Sequence, residues 1–112
     1  MAKVFGITPI ELQPGVKGED FEKFFLEEYG PLGLRLGWDF HILKADRGER
    51  AGKYVTIWEI PSVENRDGVI PPGGQITEEA LRLLGPEFQT LGEKLDKLVV
   101  GWPYTDYIEL GK

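Results

Sequence analysis

One histidine, His41, and no cysteine stand among the 112 residues, and these two counts narrow the available chemistry. Thiolate nucleophiles, disulfides and cysteine-based zinc or iron–sulfur sites are excluded. A lone imidazole is also too few ligands for a transition-metal site, which usually takes three or four, so no metal and no cofactor are expected. His41 remains the one side chain whose ordinary titration lies near neutrality, suited to general-base work. Asp39 stands two positions before it, on the same face of any strand that carries both, where it could orient the ring. The bland alternative is a strand histidine that is exposed or merely hydrogen-bonded. Serine occurs once, at Ser62, and nothing in the spacing brings it to His41. The Pro-Gly-Gly-Gln at 72–75 lacks the Lys-Ser/Thr that completes a phosphate-binding loop.

The elements that must position these groups follow from periodicity. Val4 to Leu12 reads as a strand ending at Gln13-Pro14-Gly15, with Pro9 requiring a bulge or an edge position. A helix opens at Gly18-Glu19-Asp20, buries Phe21, Phe24 and Phe25, and is expected to end at Gly30-Pro31. Trp38 to Ala45 and Lys53 to Ile60 alternate as strands joined by a hairpin loop. Pro61 to Gln75 reads as a long loop, either a cavity lid or a surface insertion. From Thr77 the residues Leu81, Leu84, Phe88, Leu91, Leu95 and Leu98 form one helical seam, broken at Gly85-Pro86, and Tyr104 to Leu110 reads as a last strand.

That order, strand–helix–strand–strand–helix–strand, predicts one α+β domain over residues 1–112: a ferredoxin-like βαββαβ fold whose antiparallel four-stranded sheet carries helices on one face. The alternation assigns Val55 and Ile57 to the helix side. It assigns Asp39, His41, Tyr54, Thr56, Trp58, Tyr107 and Glu109 to the opposite face. Tyr54, Trp58 and Tyr107 would then form an aromatic wall, able to stack a flat ligand or to fill an interface. A patch of that size calls for a cover, and an isologous homodimer is the simplest one.

A net charge of −6 with scattered basic residues argues against nucleic acid as a partner. No apolar run approaches the roughly 20 residues of a spanning helix, and no leader is evident, so a cytoplasmic location without a membrane partner is expected.

The order of elements, the Leu12-Gln13-Pro14-Gly15 strand end, the Phe-rich first helix and the run Tyr54-Val-Thr-Ile-Trp-Glu-Ile-Pro-Ser62 resemble the dimeric α+β barrel superfamily across the whole chain. That superfamily includes cofactor-free monooxygenases, haem-degrading enzymes and stress-responsive barrels. The resemblance implies a homodimer with one cavity per subunit. It implies a cofactor-independent oxygenase for an aromatic or quinol-like substrate, with Trp58, Tyr54 and Asn65 as candidates by type. Haem degradation is disfavoured, because the helix after Thr77 lacks the histidine that such members place there. The other reading is a non-catalytic barrel acting as a structural or protein-interaction module.

Overall fold

In a computed structural model, which describes residues 2–111, four antiparallel strands form one sheet in the order β2-β3-β1-β4. The strands are β1 (Val4–Pro9), β2 (Asp39–Lys44), β3 (Tyr54–Ile60) and β4 (Thr105–Ile108). The helices are α1 (Gly18–Phe24), α2 (Gly30–Leu34), α3 (Val63–Val69), α4 (Glu78–Leu84) and α5 (Glu87–Leu98). The architecture is the ferredoxin-like α+β fold that the order of segments predicts.

β1 is central, yet it tolerates Pro9. β4 pairs only with Val4–Ile7, so one flank of β1 is vacant at Pro9 and the missing N–H leaves no ladder bond unmade there. The strand also ends sooner than the expected Leu12, which instead forms an isolated bridge with Val99.

Gly30-Pro31 does not end the first helix. The backbone widens into a π-helical segment over Phe25–Tyr29 and continues as α2 to Leu34. Proline lacks an N–H and crowds the carbonyl four residues back, and the wider turn accommodates both effects. Gly30 then packs against β2, where an added Cβ would lie 2.5 Å from Phe40 Cδ2.

The 61–75 segment is only partly loop. Ser62 Oγ caps α3 by accepting the Asn65 N–H at 3.0 Å, and Thr77 Oγ1 caps α4 by accepting the Ala80 N–H at 3.2 Å. The break at Gly85, with φ +81°, divides α4 from α5 as its sequence implies. Along the expected seam Leu84 and Leu95 are buried, whereas Leu81 is exposed because α4 turns Ala80 and Leu84 inward.

Strand register settles the two sheet faces. Val4, Gly6 and Thr8 of β1 lie opposite Ile60, Trp58 and Thr56 of β3, and this set faces the helices. Phe40 and Ile42 of β2 stand opposite Trp58 and Thr56 on the same side. The expectation for β3 is therefore inverted: Tyr54, Thr56 and Trp58 point into the core, while Val55 and Ile57 lie on the open face. The core has two parts. One gathers Val4, Leu32, Leu36, Trp38, Ile60, Val69 and Leu84, and the other gathers Ile10, Phe21, Phe24, Phe25, Tyr54, Leu95 and Val99.

Candidate functional site

A cavity of about 560 Å³ lies on the helix side of the sheet, within the roughly 300–1,000 Å³ range of small-molecule sites. Gly6, Trp58, Ile60 and Asp106 of the sheet contribute to its lining. Tyr29, Leu32, Gly33, Leu36 and Trp38, from the π-helical segment, α2 and the approach to β2, form one wall. Arg66, Asp67 and Val69 of α3 and the Ile70–Gly74 turn form another. Ile76, Leu84, Phe88, Trp102 and Tyr104 complete the lining.

Two glycines make room here. A Cβ on Gly33 would stand 2.9 Å from Trp58 Cε3, and one on Gly6 would stand 3.1 Å from Asp106 Oδ1. The aromatic walls meet edge to face: Trp38 and Trp58 have ring centroids 6.0 Å apart at 60°, and Tyr29 and Trp102 have theirs 6.2 Å apart at 62°. All three tryptophans of the chain line the cavity.

The charged part of the lining is a three-residue network. Arg66 donates from Nε to Asp67 Oδ1 and from Nη1 to Asp106 Oδ2, each at 3.0 Å. The two carboxylates raise the guanidinium pKa further above its usual value. Tyr29 is the reverse case: burial, helped by the negative charge of Asp96, pushes its phenol up to about 12. At neutral pH it is therefore a hydroxyl donor and not a base.

Of the residues singled out in the sequence, Trp58 lines the cavity, and Asn65 supports its wall without lining it. Asn65 Oδ1 accepts the Trp38 indole N–H at 2.6 Å, and its Nδ2 donates to the Leu36 carbonyl at 3.3 Å, which fixes the Trp38 ring. Tyr54 lies in the other half of the core, where its hydroxyl donates to Glu22. Thr56 is fully buried opposite Thr8, and neither hydroxyl has a partner among the described residues.

His41 and Asp39 stand on the open face, away from the cavity, with Asp39 opposite Glu59 across the ladder. His41 Nε2 lies 3.5 Å from Glu59 Oε1, and Glu59 in turn pairs with Lys3 at 3.0 Å. Tyr107 stands on that face as well, opposite Phe5, and is half exposed. Structure thus separates what alternation had grouped: His41, Asp39 and Tyr107 on one side of the sheet, Tyr54, Thr56 and Trp58 on the other.

Arg66, Asp67 and Asp106 were not visible as a site in the sequence. The first two fall in a segment read as loop, and Asp106 lies a hundred residues from its neighbour Gly6. The signal that could have found them is the cap at Ser62, which starts α3 and sets the face that Arg66 presents. The Pro71–Gly74 turn is part of the cavity wall and so is not a mere surface insertion. Among the described residues no three His, Asp or Glu side chains gather as a metal-ligand set, and no helix is long and apolar enough to cross a membrane.

No protein-family model and no curated protein sequence matches the chain. Among solved structures, the fold is similar to that of an uncharacterised NIPSNAP-like domain protein from Burkholderia xenovorans. The TM-score is 0.62 over 98% of this chain and 85% of that one, at 18% sequence identity. At that identity the likeness is one of fold: a ferredoxin-like α+β domain.

Proposed function

We propose that this protein binds a small, largely apolar and flat molecule in the cavity between Trp58 and α3. The observation that carries the reading is the cavity itself, of ligand size, walled by aromatic rings and carrying one localised charged network. Because every tryptophan lines it, occupancy is read directly from intrinsic fluorescence. Aromatic compounds should quench or shift that emission saturably. Native mass spectrometry of freshly purified protein should show a ligand of a few hundred daltons or a site that such compounds fill. Replacing Trp58 by Phe should weaken binding, and unchanged affinity would remove this assignment.

The chemistry suggested by the barrel resemblance is cofactor-independent oxygenation of an electron-rich aromatic. In this cavity the bases within reach of a ligand hydroxyl are the carboxylates of Asp67 and Asp106, with Tyr29 as a hydroxyl donor. Oxygen uptake on adding a quinol, lost in Asp106→Asn, is the test for turnover. The position of His41 and Asp39 outside the cavity favours binding without turnover, and it is equally in keeping with the second reading, a non-catalytic barrel acting as a structural or protein-interaction module. In either reading we propose a homodimer. Phe5, Ile7, Leu43, Val55, Ile57 and Tyr107 make an apolar patch on the open face, and a second copy of that face is its natural cover.

A further inference from the structure

We propose that the cavity selects a cationic ligand, an aromatic or otherwise apolar body bearing a protonated amine, with Asp106 as the anchor. This deepens the small-molecule reading and rests on it. The lining holds three charged side chains, Arg66, Asp67 and Asp106, so its formal charge is −1. Arg66 already has Nε and Nη1 engaged by carboxylates, and its single positive charge is set against the two negative charges of Asp67 and Asp106. A phosphate or carboxylate ligand would therefore enter a site whose only cation is already more than neutralised.

Asp106 presents the complementary vacancy. Its Oδ2 accepts from Arg66, while its Oδ1 accepts no hydrogen bond among the described residues and stands over Gly6. Glycine at that position is what lets the oxygen lie over the strand beside Trp58, within the cavity lining, where a ligand ammonium N–H meets it. Around it Trp58, Trp102, Tyr29 and Tyr104 supply the electron-rich ring faces that attract organic cations. Anionic and aromatic features thus favour the same sign of ligand charge, and the apolar remainder of the cavity accepts the ligand body.

The test is a matched series of probes of nearly equal size: phenethylammonium, phenethyl alcohol and hydrocinnamate, titrated at low ionic strength with tryptophan fluorescence as the readout. The ammonium should bind about tenfold more tightly than the alcohol, and the carboxylate should be weakest by about as much again. Asp106→Asn should bring ammonium and alcohol within about twofold of each other. Asp39→Asn makes the same change in net charge on the opposite sheet face and should leave the preference intact.

A carboxylate that binds as tightly as the ammonium, or an ammonium no better than the alcohol, overturns the charge assignment while leaving the cavity as a ligand site. If none of the three probes alters the fluorescence up to its solubility limit, the small-molecule reading falls and the inference falls with it. The unsubstituted protein series decides the question even if Asp106→Asn fails to fold.

Discussion

Trp58 joins the two halves of the core. Its ring lies against Phe25 and Tyr29, with centroids 5.7 and 6.2 Å away, while meeting Trp38 on the cavity side. Gly33 is what lets it sit there. Gly33→Ala should therefore displace the indole and cost about 1–3 kcal/mol of stability, the usual range for overpacking, together with weakened probe binding. Thermal melting and fluorescence titration measure the two effects separately.

Two phenols give the folded state a marked alkaline limit. Burial, followed by its hydrogen bond to Glu22, pushes Tyr54 up to about 12, as burial does for Tyr29, from an ordinary 10.0. A raised pKa means that the folded chain holds the proton more tightly than the unfolded chain does. Their contribution to stability is thus complete below pH 10 and is lost as the pH rises toward 12. A spectrophotometric titration should show late phenolate formation that coincides with unfolding, and Tyr54→Phe should remove part of the late step.

At the scale of elements, α3 is decisive for the site, since it carries Arg66 and Asp67 and, through Asn65, holds Trp38. Its seven residues depend heavily on the Ser62 cap. Ser62→Ala should cost about 0.5–2 kcal/mol and loosen the cavity wall before it unfolds the sheet. The expected signature is faster amide exchange across residues 63–69 with the strands still protected, and uniform loss of protection would argue against it.

Much of this level was legible in the sequence: the Phe-rich first helix, the hairpin of β2 and β3, and the division at Gly85-Pro86. The orientation of β3 was not. Tyr54, Thr56 and Trp58 alternate with Val55 and Ile57, so both faces of that strand are apolar or aromatic and alternation alone cannot choose between them. The register with β2 chooses, because Phe40, committed to the helix side, stands opposite Trp58. Nor does the sequence mark the π-helical segment, because Gly30-Pro31 is also the ordinary signal for a helix end. Trp58 and Asn65 were singled out by residue type. In the charged network of the cavity, the Arg66–Asp106 contact depends on long-range register and was not legible, whereas the Ser62 cap could have placed Arg66 and Asp67 on a helix.

For the molecule as a whole, the sheet has one face covered by helices and one left open, where Ile7, Val55 and Ile57 stand beside the charged Lys3–Glu59–His41 chain. Ile57 stands near the middle of the open face, between Ile7 of β1 and His41 of β2. If the protein is the homodimer proposed above, Ile57→Lys should convert it into a folded monomer, seen by sedimentation as a halved mass with an unchanged circular dichroism spectrum. A monomeric unsubstituted protein would instead show that this face needs no second copy. The Lys3–Glu59–His41 chain lies on the same face and would be enclosed at such an interface. For that reason Lys3→Ala should shift the equilibrium of the proposed homodimer more than it shifts monomer stability, exposed ion pairs being worth at most about 1 kcal/mol.

The pairing of β1 with β4 sets Val4 beside Ile108, so β1 is flanked on its second side by the last of the four strands in chain order. Until residues 105–108 have left the ribosome, β1 lacks that flank, Arg66 lacks Asp106 and the cavity lacks one side of its floor. Productive folding is therefore closed by its most distant contact, and such long-range closure is slow relative to helix formation. During synthesis the nascent chain would expose the aromatic residues that later line the cavity, a natural target for chaperones.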